Sequence, residues 1–252
     1  MPAAVSAKPL GVAIAGLGFG EKVHLPALRS CPLTEPVALW HPRPERLEAA
    51  CTAGGLKGHQ DFEALLADPA VDAVVIATPP GPRFELARQA IAAGKHLLLE
   101  KPVALEAGQV EELQRLAIRQ GTCVAVDFEY RAVPLFQQLQ ALVASGALGE
   151  LWLTKLDWLM SSRADAARPW NWYSKASEGG GVLGALGTHA FDTLHWLVGP
   201  TRSLQAQLST AIAQRPLPDR PGEAAAVDAE DIALAQLQLE DDHGRMVPAQ
   251  VS

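Results

Sequence analysis

Three short segments of this sequence combine residue types that could do chemistry at a shared site. Gly16, Gly18 and Gly20 form a glycine-rich turn at the end of an apolar run. Glu100-Lys101-Pro102 ends a later apolar run, and the lysine amine there could donate or accept a proton. A third segment, around Arg43, places positive charge after another apolar run. Whether these segments can act together depends on the strands and helices that position them.

The glycine-rich turn has the form expected of a dinucleotide-binding loop. Its first glycine permits a tight turn, and its second lets the backbone approach a pyrophosphate at the N-terminus of the following helix. The sixth position holds Glu21, where glycine or alanine is typical. A glycine-rich turn that binds no ligand is the alternative interpretation. We assign cofactor binding to the turn residues Gly16, Leu17, Gly18, Phe19 and Gly20.

The end of the second predicted strand bears on the choice between NAD and NADP. An acidic residue usually stands here to hold the ribose 2′-hydroxyl of NAD, and Leu39–Arg43 contains none. His41, Arg43 and Arg46 could instead attract a 2′-phosphate. We therefore predict NADP as the preferred cofactor, with NAD as the other candidate and with His41 and Arg43 in the site. In the alternative interpretation, these are solvated residues that open a helix.

Two further turns follow neighbouring predicted strands. Thr78-Pro79-Pro80 ends one strand and Glu100-Lys101-Pro102 ends the next, at the edge where a cofactor would bind. The positive charge of an oxidised nicotinamide, together with partial burial, would lower the pKa of Lys101 towards neutral, as a general acid or base requires. On its own, such a tripeptide is more often a surface turn. We assign Thr78, Pro79, Glu100 and Lys101 to the cofactor site.

Strands and helices alternate through the first half of the chain. Short apolar runs indicate strands buried on both faces, and the segments between them have helical periodicity. The predicted strands are Leu10–Ala15, Pro36–Trp40, Val71–Ala77, Lys95–Leu99 and Thr122–Phe128. The predicted helices are Val23–Ser30, Pro44–Gly54, Phe62–Ala67, Arg83–Ala93 and Leu105–Arg119. Right-handed crossovers and a parallel sheet follow, so we predict a doubly wound α/β Rossmann domain over residues 1–128.

The second half, residues 129–252, has the pattern of an α+β domain with an open, mostly antiparallel sheet. The predicted helices are Leu135–Ala144 and Val182–Val198, and the predicted strands are Leu151–Met160, Leu204–Ala213, Ile232–Leu239 and Met246–Ser252. Arg215–Ala226 contains four prolines or glycines and predicts a surface loop. A segment rich in arginine and aromatic residues could line a substrate pocket, or it could be a loop that packs its own aromatic side chains together. Its residues are Arg163, Arg168, Trp170, Asn171, Trp172 and Tyr173.

Composition and charge exclude several classes of protein. The 252 residues contain 21 Lys+Arg against 28 Asp+Glu, a formal net charge of -7, without a basic run. Such a chain is unsuited to nucleic acid or an anionic membrane as its main partner. Three widely spaced cysteines support neither a disulfide framework nor a zinc knuckle. No apolar run reaches the roughly 20 residues that span a bilayer. We expect a cytoplasmic protein that holds no metal.

Taken in order, the motifs resemble those of the glucose-fructose oxidoreductase, inositol dehydrogenase and rhizopine catabolism (Gfo/Idh/MocA) family. The resemblance runs from about Leu10 to the end of the chain, through GLGFGEKVHLPAL, AVVIATPP, AGKHLLLEKPVA, SGALGEL and GGGVLGALGTHAFDTLHWLVG. It implies a Rossmann domain followed by an α/β domain whose open sheet joins subunits, and hence a homo-oligomer. It also implies hydride transfer between NAD(P) and a hydroxyl or carbonyl carbon of a sugar, polyol or related cyclic compound.

The resemblance also implies roles for particular residues. Lys101 matches the usual catalytic lysine, and His189 matches a histidine placed to share in proton transfer. We assign substrate binding to Tyr130, Arg131, Trp170 and Asp192, the last of which lies on the same helical face as His189. The alternative for His189 is a hydrogen-bonded helix residue, and for Asp192 it is a structural partner.

Four positions depart from the pattern of the family that the sequence resembles. They are Ala185, where Asp or Asn is common, Pro80 and Arg83, where Asn and His are frequent, and Glu129, where Asn is frequent. Each departure removes or changes a polar group near the expected site. Lys101 and His189 favour an NAD(P)-dependent oxidoreductase. Ala185, Pro80 and Glu129, together with the short C-terminus, favour the alternative, a sensor or regulatory protein that binds the cofactor without turnover.

The chain ends at Ser252, within a middle strand of the C-terminal sheet that the resemblance implies. Typical members of that family continue through further strands and a closing helix. An open sheet edge would remain, at which another chain could pair. A naturally short member, a truncated chain and a sheet completed by oligomerisation are the three interpretations.

Overall fold

The apolar runs of the first half form a parallel sheet in the computed structural model, which describes residues 8–252. Its six strands are β1 (Leu10–Ala15), β2 (Thr34–Trp40), β3 (Lys57–His59), β4 (Ala73–Ile76), β5 (His96–Leu99) and β6 (Val124–Val126). They lie in the order β3-β2-β1-β4-β5-β6, and each neighbouring pair is parallel. The predicted doubly wound sheet is confirmed. The strand order reverses between β1 and β4, where ligands bind in folds of this kind.

Helices cover both faces of this sheet. They are α1 (Leu25–Ser30), α2 (Pro44–Gly54), α3 (Phe62–Leu66), α4 (Pro80–Ala92) and α5 (Ala107–Gln120). Alternate residues of β1 belong to different apolar clusters, Ala13 to one and Ile14 to the other, because successive strand side chains point to opposite faces. Val74 and Val75 of β4 divide in the same way. This burial on two faces explains why β1 and β4 are apolar without interruption.

The second half contains two α-helices and a mixed four-stranded sheet. Its helices are α6 (Pro134–Ala144) and α7 (Thr188–Leu197), and its strands are β7 (Thr154–Leu156), β8 (Thr201–Ser209), β9 (Gln214–Pro216), β10 (Ala224–Ala226), β11 (Ile232–Glu240) and β12 (Met246–Val251). The larger sheet has the order β7-β12-β11-β8, in which only β7 and β12 are parallel. The predicted open, mostly antiparallel sheet is therefore confirmed.

One face of this sheet packs against α7. Leu194 of α7 joins Leu237 and Leu239 of β11 and Val247 of β12 in an apolar cluster. The register pairs Leu204 of β8 with Leu237, so both side chains lie on the same face of the sheet. Leu204 is nevertheless exposed, because the cluster under α7 contains no residue of β8.

Some predicted elements differ from the structure. Arg215–Ala226 is wrong as a plain loop, because its ends belong to the hairpin of β9 and β10, closed by a hydrogen bond from the Leu217 N–H to the Glu223 carbonyl oxygen. The predicted strand Leu151–Met160 contracts to β7, since β12 offers it only three partners. The predicted helix Val182–Val198 begins with a π-helical turn, Leu183–Gly187. Strand β3, with a glycine at its centre, has no apolar pattern that could predict it.

The described chain divides into two compact units, the first ending at Asp127 and the second beginning at Phe128. Among residues 8–252, every helix is too short or too polar to cross a lipid bilayer.

Candidate active site

The glycine-rich turn follows β1 directly. Gly16 and Gly18 both adopt left-handed φ values, +105° and +107°. A Cβ atom on Gly16 would lie 2.8 Å from the carbonyl carbon of Ala77, whereas a Cβ atom on Gly18 would have no neighbour within 4 Å. Gly16 is therefore required by packing against the end of β4. Gly18 leaves open space over the backbone, as the approach of a pyrophosphate requires.

Thr78 lies beside this turn, since the Cβ atom imagined on Gly16 would also be 2.8 Å from the Thr78 nitrogen. Its hydroxyl oxygen is buried and has no hydrogen-bond partner among residues 8–252. A buried polar atom without a partner is unfavourable, so a bound polar group is expected to satisfy it. The open space at Gly18 and the unpaired Thr78 hydroxyl together fit a dinucleotide at the end of β1 and β4.

The cationic segment predicted to select NADP lies between β2 and α2. The backbone N–H of Arg43 donates a hydrogen bond to Nδ1 of His41 at 3.1 Å. Burial lowers the pKa of His41, and the charges of Arg46 and Arg43 lower it further. The exposed guanidinium groups thus provide the lasting positive charge at this strand end near neutral pH.

A buried arginine holds the backbone on both sides of Lys101. Arg83 of α4, which is 3% exposed, donates a hydrogen bond from Nη1 to the carbonyl oxygen of Glu100 at 2.7 Å. It also donates to the carbonyl oxygens of Pro102 and Thr78. Hydrogen bonds from a charged donor are among the stronger ones in proteins. We call this group of contacts the Arg83 clamp; it links the end of β4 to the turn after β5. The Lys101–Pro102 peptide bond is cis.

The Glu100 carboxylate takes part in a second buried group. Nε2 of His24 lies 2.8 Å from Oε1 of Glu100 and 3.8 Å from Oδ2 of Asp127. His24 ends the π-helical turn Gly20–His24, which stands where the predicted helix Val23–Ser30 would begin. Turns of this kind are frequent at functional sites. The predicted role of Glu100 in cofactor binding stays a prediction, and its carboxylate is here bonded to His24.

His189 lies at the start of α7 in an aromatic environment. Its ring is 3% exposed and lies 4.9 Å from the Tyr130 ring, 5.9 Å from the Phe128 ring and 6.0 Å from the Trp158 ring, measured between centroids. Oε1 of Glu129 lies 3.6 Å from its Nε2 atom. Burial raises the pKa of Tyr130, and the charge of Glu129 raises it further. His189 therefore combines an apolar packing site with a neighbouring carboxylate.

Two residues assigned to substrate binding are bonded to each other. Arg131 Nε and Nη2 donate hydrogen bonds to the Asp192 carboxylate at 2.8 Å and 2.6 Å. The Arg131 guanidinium also lies 5.8 Å from the Trp196 ring centroid. Asp192 is thus the partner of a structural ion pair, as its alternative interpretation has it. The predicted contact of Arg131 and Asp192 with a substrate stays a prediction.

Trp170 lies in a different part of the second unit. Its indole N–H donates a hydrogen bond to the Ala226 carbonyl oxygen at 2.9 Å, next to stacked Trp172 and Tyr173. A cavity of about 90 Å³ nearby is lined by polar residues that include Arg163, Arg168, Asn171 and Tyr173, but not Trp170. A larger apolar cavity of about 500 Å³ adjoins α7 and β11. Trp158 lines both cavities.

The structure thus brings the predicted residues together in separate groups. The first unit joins the glycine-rich turn, Thr78 and the Glu100-Lys101-Pro102 turn, and the second joins Tyr130 to His189. Sequence reasoning missed His24, Asp127 and Trp158, and it treated Arg83 only as a departure. Asp127 could have been found, because it lies near the carboxyl end of the predicted strand Thr122–Phe128, at the same sheet edge as Lys101. A buried Arg83 has no such local signal.

Comparison with known proteins identifies the family. The profile described as "Oxidoreductase family, NAD-binding Rossmann fold" matches residues 10–128, and "GFO/IDH/MocA C-terminal domain" matches residues 136–252. The chain belongs to the GFO/IDH/MocA oxidoreductase family. Its two matched segments correspond to the two structural units, and the resemblance noted in the sequence is confirmed.

Several curated relatives have matching segments. An uncharacterized oxidoreductase of Synechocystis sp. is 46% identical over 96% of this chain and 65% of its own length. The levoglucosan dehydrogenase of Pseudarthrobacter phenanthrenivorans is 32% identical over 82% of this chain and 56% of its own length. This GFO/IDH/MocA chain therefore spans less than two thirds of the length of these relatives.

Solved structures match the same fold. A levoglucosan dehydrogenase in complex with NADH and levoglucosan superposes with a TM-score of 0.88 at 27% identity, over 97% of this chain and 67% of that one. An NAD-binding oxidoreductase from Klebsiella pneumoniae has a TM-score of 0.86 at 28% identity, over the same shares. The Rossmann unit is thus of the NAD-binding type.

Gly18→Ala should weaken the binding of NADH and NADPH by about tenfold or more, because its methyl group would occupy the open space over the backbone. Gly94→Ala is the matched control, since Gly94 also has a positive φ and no atom within 4 Å of its imagined Cβ. Both variants incur backbone strain, and the strain is larger in Gly18→Ala, because a φ of +107° lies farther from the allowed left-handed region than +76°. Titration of nicotinamide fluorescence separates them, and equal losses of affinity would show that strain alone acts at Gly18.

Proposed function

We propose that this protein transfers a hydride between a nicotinamide cofactor and a hydroxyl or carbonyl carbon of a sugar, polyol or related cyclic compound. The observation that carries the proposal is the Arg83 clamp, which holds Lys101 at the ligand-binding edge of the sheet. Close to this clamp, the unpaired Thr78 hydroxyl and the open space at Gly18 offer a site for the cofactor. This chain covers only 65% of the length of its Synechocystis relative. That the whole protein has this activity is therefore proposed as well.

In the proposed reaction, the chain supplies binding and proton transfer. A bound nicotinamide would supply the hydride acceptor for oxidation and the hydride donor for reduction. Lys101 accepts the hydroxyl proton at Nζ as the alcohol is oxidised, and returns it in the opposite direction. Gly18 and Thr78 hold the cofactor by backbone and hydroxyl contacts. The family resemblance predicts that His189 shares in proton transfer.

The proposed substrate class agrees with the names of several relatives. Levoglucosan dehydrogenase, D-glucoside 3-dehydrogenase and D-xylose dehydrogenase all act, by name, on sugars. Tyr130 and Trp158, which flank His189, have aromatic faces on which the C–H face of a sugar ring can pack. The names of the relatives and these two aromatic side chains together support a sugar-like ring as the proposed substrate.

A cofactor-binding protein without turnover is the second candidate, and Ala185 favours it. Ala185 is buried, four residues before His189, and cannot supply a carboxylate to it. Glu129 favours the enzyme instead, because its carboxylate lies 3.6 Å from Nε2 of His189. A carboxylate near His189 is thus present, although it comes from another element.

Lys101→Ala should lower the rate of hydride transfer by at least about 10²-fold and leave NAD(P)H affinity within about twofold, since the amine handles the proton. Lys95→Ala is the control, because Lys95 precedes the same strand at its other end, where its amine donates to the Val71 carbonyl oxygen. A His189→Ala variant should be less impaired. The assay follows nicotinamide absorbance with a panel of sugars and polyols; retained turnover in Lys101→Ala would remove the proposed mechanism.

We further propose NADP(H) as the preferred cofactor, supported by the cationic segment after β2. Arg43→Ala should weaken NADPH binding by about tenfold, the loss expected for one charge-assisted phosphate contact, and leave NADH binding unchanged. Arg115→Ala, at an exposed position of α5, is the control. Calorimetric titration of both nucleotides measures the preference. Equal affinities of the unaltered protein for NADH and NADPH would contradict it.

Self-association through the C-terminal sheet is also proposed, because β11 exposes Ile232 and Leu234 on the face opposite α7. Leu234→Asp should weaken association by about tenfold, since it would bury a charge in the interface. Leu33→Asp, in the first unit, is the control. Sedimentation velocity over a range of concentrations gives the result, and a monomer at every concentration would disprove the proposal.

The cytoplasm stays the predicted compartment.

A further inference from the structure

His24, Glu100 and Asp127 form a buried group at the carboxyl ends of β5 and β6. The three side chains each place one nitrogen or oxygen atom within 4.8 Å of the others. We call them the acid–base cluster. Glu100 precedes Lys101 in the chain, and the Lys101 charge acts on both carboxyls of the cluster.

Backbone hydrogen bonds hold the two carboxylates at adjacent strand ends. The Glu100 N–H donates to the Ile76 carbonyl oxygen at 3.1 Å, and the Asp127 N–H donates to the Leu99 carbonyl oxygen at 2.8 Å. These bonds continue the ladders of β4, β5 and β6 by one residue. The acid–base cluster is therefore built into the rigid part of the sheet, as precise proton transfer requires.

The members of the cluster differ in their access to solvent. The His24 and Glu100 side chains are 7% and 10% exposed, whereas the Asp127 side chain is 23% exposed. Phe19 of the glycine-rich turn packs edge-on against the His24 ring, at 5.4 Å between centroids. Asp127 is thus the member through which a proton can reach solvent.

The charges around the cluster give its two carboxyls opposite tendencies. Burial raises the pKa of Asp127, the charge of Glu100 raises it further, and the charges of His24 and Lys101 only partly offset these effects. Burial also tends to raise the pKa of Glu100, but the hydrogen bond and charge of His24, with the charges of Lys101 and Arg83, lower it overall. The surroundings therefore favour the protonated form of Asp127 and the ionised form of Glu100.

Building on the proposed function, we propose that Asp127 relays the reaction proton between Lys101 and solvent, with Glu100 and His24 holding it in place. In the oxidation direction, an N–H bond of the Lys101 ammonium breaks and its electron pair stays on Nζ. An O–H bond forms on the Asp127 carboxylate, which then releases the proton to water. The uncharged form of the Lys101 amine is thereby restored for the next turnover. Carboxylate and lysine exchange one proton, and no further reactant is consumed.

The first test measures the cluster without substrate or cofactor. The side-chain carboxyl carbons of aspartate are labelled with ¹³C and titrated by NMR, and Asp127→Asn assigns the Asp127 signal. We expect the midpoint of Asp127 to lie above the ordinary value for aspartate. In Glu100→Gln, its midpoint should move to lower pH, because a like charge has been removed. An Asp127 midpoint at the ordinary value for aspartate that is unchanged in Glu100→Gln would overturn the proposed role of the acid–base cluster.

The second test measures turnover. Asp127→Asn keeps the size of the side chain but cannot carry the proton, so kcat for oxidation should fall by about tenfold or more while KM and NAD(P)H affinity stay within about twofold. The acidic limb of the wild-type pH profile should disappear as well, because that limb reports protonation of Asp127. Asp127→Glu should restore part of the rate, as a merely structural role would not require.

Asp68→Asn is the matched control. Asp68 is also a buried carboxylate in the first unit, with its Oδ2 atom 2.6 Å from Lys57 Nζ and 3.3 Å from His59 Nε2. Its carboxylate contacts the first and last residues of β3, and β3 and β6 are the two outer strands of the sheet. Asp68→Asn should lower stability and leave kcat and the pH profile unchanged.

The remaining outcomes show whether the relay alone fails or the proposed function fails with it. An active wild type whose rate and pH profile survive Asp127→Asn would overturn the relay alone. Stoichiometric zinc in the purified protein, lost in Asp127→Asn, would assign the acid–base cluster to a metal and also overturn the relay. A wild type that binds NAD(P)H and oxidises no compound of the panel would overturn the proposed function and, with it, the relay.

Discussion

The buried guanidinium of Arg83 is the contact on which the arrangement around Lys101 depends. It carries a positive charge that is 3% exposed, and the chain compensates this charge with carbonyl oxygens from Thr78, Glu100 and Pro102. Removing such a charge from water is costly unless hydrogen bonds compensate for the lost hydration. The clamp therefore holds the turns after β4 and β5 in one arrangement. Lys101, between two of the three carbonyls, is placed by backbone contacts and does not depend on its own flexible side chain.

The carboxyl edge of the parallel sheet gathers the other functional groups of the first unit. The open space at Gly18, the unpaired Thr78 hydroxyl and the two carboxylates of the acid–base cluster all follow strand ends, where the backbone hydrogen bonds of the ladder stop. Polar side chains can be buried there because they bond to each other, as His24 and Glu100 do at 2.8 Å. The same edge thus suits both cofactor binding and proton handling, in agreement with membership of an NAD-binding family.

The second unit satisfies its polar groups differently. Arg131 and Asp192 form a bidentate pair, and His189 is surrounded by aromatic rings with the Glu129 carboxylate at one side. Glu129 and Ala185 show how two departures in the sequence can be related: one position loses a polar group while a carboxylate approaches the same histidine from another element. Ala185 alone favours an inactive protein. The Glu129 carboxylate beside His189 weakens that interpretation.

The sequence by itself determined the family, the fold class and the strand ends that carry chemistry. β1, β4 and β5 end within one residue of their predicted positions, because apolar runs and the glycines or prolines after them are local signals. Only the tertiary structure decided which side chains meet. Arg83 is 17 residues from Glu100, and His24 is 76 residues from it, so no local periodicity records either contact. These contacts arise when different helices and strands pack together, and the direction of each side chain is set at that stage.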